Sequence, residues 1–168
     1  MRRTVYLTGF MGTGKSVVGR ELARKMRRPF VDLDAAIERA SGKSVAELFE
    51  KRGEATFRRL ERSALRKTAK RKGLVVALGG GALMDKRNLA LVEKNGILVR
   101  LSCSRRELVR RLRASRFTRP ILAGGKLDHR VRILLRARKG AHGDARILIS
   151  TTRRSAVSAA AMLARRLS

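Results

Sequence analysis

Eight residues near the start of the sequence, Gly9-Phe10-Met11-Gly12-Thr13-Gly14-Lys15-Ser16, fit the spacing G-x-x-x-x-G-K-[ST]. That pattern sets an ammonium and a hydroxyl at the end of a glycine loop, which is chemistry for a polyphosphate. Glycines let the backbone turn its N–H groups inward around an anion, and the N-terminus of a following helix adds its positive dipole end. Lys15 is expected to reach the β- and γ-phosphates of a nucleotide, and Ser16 to offer its hydroxyl to Mg²⁺. Gly12, Thr13, Gly14 and Val17 complete the phosphate-facing set. Further groups that could act lie downstream: two acids at Asp32 and Asp34, and three glycines at Gly79-Gly80-Gly81.

Such residues work only if elements hold them together. Val5 to Thr8 is β-prone and precedes the loop, and Val17 to Met26 follows as a helix with Val18, Leu22 and Met26 on one face. Phe30 to Asp34 reads as a second strand ending in two acids. Ser44 and Glu47 form a capping box for a short helix that Gly53 ends, and Glu54 to Lys72 is a longer one. Leu74 to Leu78 is a continuous apolar strand of the kind buried on both faces, and it runs directly into the three glycines. Asp85 can cap a helix that stops at Asn95-Gly96. Ile97 to Leu101 is a fourth strand, and Ser104 with Glu107 forms a second capping box for a helix to Ala114. Arg116 to Lys126 has no periodicity and carries Pro120 and Gly124-Gly125, so it reads as a loop. A helix over 128–139, a strand over 147–149 and a last helix over 155–167 complete the chain. Strands alternating with helices predict an α/β fold: three layers, a five-stranded parallel sheet flanked by helices. In such sheets the ligand sits at the carboxyl ends of the strands. The glycine loop, Asp32 and Asp34, the three glycines and the 116–126 loop would meet there.

The 168 residues are enough for one domain with a core. A single cysteine, Cys103, excludes an internal disulfide and any multi-cysteine zinc site, and two histidines, His129 and His142, are too few for a His-based metal cluster. No apolar run approaches the length of a membrane span. Met1-Arg2-Arg3 leads straight into the first strand and is expected to leave no room for a targeting segment, which points to the cytoplasm. The charge is extreme: 42 Lys plus Arg against 13 Asp plus Glu, a net +29. It is spread along the chain. It reads first as basic solvated helix faces and second as an attraction for nucleic acid and other polyanions.

The motifs in order resemble shikimate kinases over nearly the whole chain. They are Gly9 to Arg20, then Phe30-Val31-Asp32-Leu33-Asp34, then Phe57-Arg58-x-x-Glu61, then Gly79-Gly80-Gly81, then Arg119-Pro120-Ile121-Leu122. The resemblance implies a single P-loop kinase domain over 1–168, with an acceptor-binding segment about 32–61 and a mobile lid about 116–127. It implies a monomer whose partners are ATP and shikimate, with transfer of a phosphoryl group to the 3-hydroxyl of shikimate. Asp34 then matches the family's substrate aspartate, which orients the hydroxyl and accepts its proton. Arg58 would fork the substrate carboxylate, with Glu61 orienting it, and Arg138 would supply a second guanidinium, with Arg136 as the fallback. Gly79, Gly80 and Gly81 would let the backbone approach the substrate. Asp32 would hold Mg²⁺ through water beside Ser16. Arg119 would come in with the lid to the transferring phosphoryl, and Arg111 and Arg153 would lie near the adenine.

Plainer readings stand beside these. Arg58 is four residues after Glu54 and could be a helix ion pair. Asp34 could cap a helix starting at Ala35. The three glycines could be a turn. The family usually shows R-x-P-[LA]-Y-x-E-x-A before the last strand, and here Gly140, His142 and Asp144 replace the proline, tyrosine and glutamate. The extra glycines are expected to loosen the segment that positions Arg138. Two other functions remain at this stage. One is a related small-molecule kinase of the gluconate type. The other is a basic, kinase-derived nucleic-acid-binding or regulatory protein without turnover.

Overall fold

The computed structural model describes residues 3–115, 122, 125–140 and 145–167. Five parallel strands form one sheet: β1 (Thr4–Thr8), β2 (Phe30–Asp32), β3 (Val75–Ala77), β4 (Gly96–Ser102) and β5 (Ile147–Ser150). Their order across the sheet is β2-β3-β1-β4-β5. The chain therefore leaves β1 toward one edge, returns through β3, and then crosses to the other side at β4. That reversal opens a crevice at the carboxyl ends of the central strands. Among the described residues the helices are α1 (Lys15–Met26), α2 (Leu33–Ser41), α3 (Val45–Ala69), α4 (Lys86–Asn95), α5 (Arg105–Ala114), α6 (Leu127–Ala137) and α7 (Ala156–Leu167).

Both faces of the sheet are covered, which is why β1 and β3 are buried at every position. Side chains alternate sides along a strand. Val5 and Leu7 enter one cluster with Val18 and Leu22 of α1 and Ala159 and Leu163 of α7. Tyr6 enters the opposite cluster with Leu65 of α3 and Val92 of α4. A third cluster joins Phe10 and Met11 of the glycine loop to Leu108 and Leu112 of α5 and Val131 of α6. A fourth, Ile37, Leu48 and Phe57, holds α2 against α3.

Three local features depart from the sequence reading. β2 ends at Asp32, not Asp34, because the Asp32 carboxylate caps α2 by accepting from the Ala35 N–H at 3.3 Å. Asp34 is therefore in the first turn of α2 and is not its cap. Ser104 caps α5, but Glu107 does not close the box. Its carboxylate takes hydrogen bonds from Arg110 and Arg111 instead, and the Ser104 N–H donates to Thr152 Oγ1 at 2.8 Å. A 3₁₀ turn over Ala82–Met84 follows the three glycines. The break expected at Gly53 is present: its φ of 75° divides α3 into two helical stretches. Of the expected lid over 116–127, residues 116–121 and 123–124 lie outside the described residues, and so do 141–144.

Gly96 opens β4 where the sheet has no room for a side chain. A Cβ there would collide with the Thr4 carbonyl oxygen and lie 2.6 Å from the Tyr6 ring. Backbone in a central strand cannot give way, so Gly96→Ala is expected to cost about 1–3 kcal/mol. At roughly 2–4 °C per kcal/mol for a chain of this size, thermal unfolding should show a Tm several degrees lower. An unchanged Tm would mean that β1 and β4 are less closely paired than described.

Candidate active site

The glycine loop is held in the form that its sequence requires. Gly9, Gly12 and Gly14 have φ of 146°, 82° and 90°, values that L side chains rarely adopt. Thr13 is buried, and its hydroxyl donates to the Phe10 carbonyl at 2.7 Å, which closes the loop on itself. Lys15 begins α1 and folds back, with Nζ donating to the carbonyls of Gly9 at 2.9 Å and Phe10 at 3.1 Å. The Ser16 hydroxyl donates to Asp32 Oδ2 at 2.5 Å. The α1 N-terminus carries no acid in its first turn, so its dipole faces the loop unopposed.

Beside the loop is a cavity of about 190 Å³, lined among others by Gly12, Gly14, Val17, Arg111, Thr151 and Arg154. Arg111 is its organising cation. Its guanidinium donates to the Gly12 carbonyl at 3.2 Å and to the Thr151 carbonyl at 2.7 Å, and its Nε to Glu107 at 2.8 Å. Hydrogen bonds from Arg110 and then Arg111 hold the Glu107 carboxyl down at about 2. Arg153 lies in the adjoining turn with φ 50°, and it is Arg154 that lines the cavity. Thr151 was not picked out from the sequence. The available signal was its place directly after β5, at the carboxyl end of a strand.

On the other side of the loop the three glycines gather four charged side chains. A Cβ on Gly79 would collide with Glu61 Oε1 and lie 3.1 Å from Asp34 Oδ1. One on Gly81 would lie 2.9 Å from Arg58 Nη2 and 3.4 Å from Arg138 Nη2. One on Gly80 would lie 3.5 Å from the Met11 nitrogen, so this group borders the phosphate loop. Arg58 donates to Glu61 Oε2 at 2.9 Å and to Glu54 Oε1 at 3.0 Å, so the helix ion pair and the inward contact are both made. Arg138 is 5% exposed, donates to the Gly80 carbonyl at 3.2 Å and stacks over Phe10, whereas Arg136 is exposed. Burial, and then the charge of Arg58, lower the Arg138 pKa. Burial also opposes the charge on Arg58, but Glu61 and Glu54 outweigh it and raise that pKa. Arg119 is outside the described residues.

A phosphate loop and an acid beside paired guanidiniums thus share one crevice. The sequence model of the shikimate kinase family matches residues 11–167. A shikimate kinase of Geobacter sulfurreducens is 43% identical over 153 residues, spanning 91% of this chain and 84% of that protein. The chain belongs to the shikimate kinase family. The structure of the shikimate kinase of Acinetobacter baumannii in complex with shikimate superposes with a TM-score of 0.94 at 33% identity, over 99% of this chain and 93% of that one. A gluconokinase of Sinorhizobium meliloti reaches a TM-score of 0.57 at 17% identity over 99% of this chain and 97% of that one, a likeness of fold alone. As a shikimate kinase the chain is an enzyme, a phosphotransferase that uses ATP to phosphorylate shikimate.

In this shikimate kinase Glu61 has a pH signature. Its side chain is 1% exposed, and burial holds its pKa above the ordinary 4.5 against the pull of Arg58. A raised folded-state pKa means that the folded protein binds this proton more tightly than the unfolded chain does. The associated stability is complete below about pH 4.5 and is lost as pH rises through the folded value. Glu61→Gln keeps the shape and does not titrate. From pH 4 to 7 the wild-type Tm should therefore fall relative to that of Glu61→Gln. Parallel Tm curves would assign the proton elsewhere.

Proposed function

We propose that the reacting groups meet between the glycine loop and Gly79-Gly80-Gly81, with Asp34 as the acceptor's base. The observation that carries this reading is that those glycines bring Asp34, Glu61, Arg58 and Arg138 to the border of the loop holding Lys15. Arg58 and Arg138 take the shikimate carboxylate as guanidinium forks. Asp34 accepts the proton of the attacking 3-hydroxyl. Lys15 exchanges the Gly9 and Phe10 carbonyls for phosphate oxygens and balances their charge. Gly12 to Val17, Arg111 and the turn at Arg153 and Arg154 hold the nucleotide. Arg119 is kept as the lid arginine on the family resemblance. The chain is taken to act as a monomer, and the reaction is assigned to the cytoplasm.

The donors present fit Mg²⁺. No cluster of three or more His, Cys, Asp or Glu suited to a metal forms among the described residues. Mg²⁺ does not require one, since it is held by one or two protein oxygens with phosphates and water. The Ser16 hydroxyl and the Asp32 carboxylate, already in contact, would be those oxygens. When bound, the ion neutralises phosphate charge. Among the described residues no helix is long and apolar enough to cross a membrane. The net charge of +29 adds a salt-dependent attraction for polyanions.

A coupled ADP-release assay with shikimate, quinate, gluconate or no acceptor tests the assignment, and turnover is expected with shikimate. Asp34→Asn should lose most of kcat while ATP still binds, and near wild-type kcat would remove Asp34 from the base role. Arg58→Lys replaces a bidentate fork with a point charge, and a charge-assisted hydrogen bond is worth roughly 1.5–3 kcal/mol. The KM for shikimate should rise about ten-fold or more, with that for ATP little changed. Equal effects on both substrates would show that Arg58 acts on the fold and not on the acceptor.

A further inference from the structure

We propose that Phe10 mechanically links the phosphate loop to the carboxylate clamp, so that nucleotide at Lys15 sets the position of Arg138. The proposal rests on the reading of Arg138 as a ligand of the acceptor carboxylate. Phe10 has two ends with different partners. Its carbonyl accepts from Lys15 Nζ at 3.1 Å and from Thr13 Oγ1 at 2.7 Å. Its ring lies beneath the Arg138 guanidinium, with the central carbon 5.6 Å from the ring centroid. The side chain is 3% exposed, so ring and cation meet away from water, where such attraction is stronger.

Arg138 depends on this contact to an unusual degree. No carboxylate lies within ion-pair distance of it among the described residues. Its described anchors are the Gly80 carbonyl and the Phe10 ring. The ring also belongs to an apolar cluster with Leu108, Leu112 and Val131, so a shift of the loop peptide moves it within apolar surroundings.

The link would work through Lys15. Its ammonium donates to the Gly9 and Phe10 carbonyls. Phosphate oxygens are charged acceptors and make the stronger bonds. Once Lys15 turns to them, the Phe10 carbonyl keeps its bonds from the Thr13 hydroxyl and N–H alone, and the peptide that carries the ring readjusts to those two donors. The guanidinium resting on that ring readjusts with it, to a position suited to a carboxylate. Phe10 is thus a positioning residue, and nucleotide and acceptor should bind with positive coupling.

Isothermal titration of shikimate, alone and with saturating ADP and Mg²⁺, tests this on wild type, Phe10→Leu, Arg138→Gln and the double variant. Phe10→Leu keeps an apolar side chain and removes the aromatic face. In the wild type ADP should tighten shikimate binding about five-fold or more. In Phe10→Leu that effect should fall below about two-fold, with binding of ADP alone little changed, and adding Arg138→Gln should reduce it no further. Shikimate should likewise lose its effect on ADP affinity, because coupling is reciprocal. Absence of an ADP effect in the wild type, or its survival in Phe10→Leu, would overturn the link. Arg138→Gln with unchanged shikimate affinity would instead overturn the reading of Arg138, a result separable from failure of the link. Phe10→Met repeats the test if the leucine variant does not fold.

Discussion

One buried carboxylate governs the acceptor side of this molecule. Glu61 is almost fully withdrawn from water and holds the Arg58 guanidinium at 2.9 Å. A charge so placed is costly unless it is paired, and the pairing is what aims Arg58 inward. Without Glu61, Arg58 would still have Glu54, on the exposed side of the same helix. The two acids thus share one guanidinium, and the buried one fixes which way it faces. Gly79 completes the arrangement by leaving room for the carboxylate, since a side chain there would occupy the place of Glu61 Oε1. Glu61 Oε1 has no hydrogen-bond partner among the described residues, and this adds to the cost that burial puts on its charge.

Arg138 is the counterpart with no carboxylate in ion-pair distance among the described residues. Its guanidinium stays charged, because arginine does not lose its proton in proteins. Arg58 beside it makes that charge still less favourable. Of these two cations, Arg58 alone has carboxylates within ion-pair distance among the described residues, so an incoming carboxylate would meet Arg138 with that place open. The nucleotide side follows the same logic. Lys15 donates to the Gly9 and Phe10 carbonyls, and Arg111 donates to the Gly12 and Thr151 carbonyls and to Glu107, so both cations border the phosphate loop.

How much of this was legible in the sequence depended on the range of the interaction. Local signals were read well. The loop glycines, the Ser44–Glu47 box, the Asp85 cap and the break at Gly53 all depend on residues within a turn of one another. The parallel sheet also followed, from strands alternating with helices and the continuous apolar run at β3. The misplaced features each involve a distant partner. The Ser104 box stays open because Thr152, far along the chain, satisfies the N–H that Glu107 would have taken. β2 stops early because Asp32 serves both the α2 N-terminus and Ser16 of the glycine loop. Phe10 read as one of the free positions of the glycine loop. Its contact with Arg138 spans most of the chain, and no pattern in either segment announces it.

The abundant positive charge is also less arbitrary than its total implies. All seven described α-helices carry Arg or Lys in the last turn, where a cation meets the negative end of the helix dipole. Acids are scarcer and are spent at the other end: Asp34, Glu47, Glu107 and Asp128 stand in the first turns of α2, α3, α5 and α6. α1 shares the lack of a first-turn acid with α4 and α7, but among these it is the helix that the phosphate loop enters. Its last turn holds Arg24 and Lys25, but its first turn has no acid. A carboxylate there would compete with phosphate for the same N–H groups and the same dipole. The only carboxylate described in contact with that turn is Asp32, held off the loop by Ser16. In a chain rich in cations, the decisive electrostatic choice at the phosphate loop is thus where an anion has been left out.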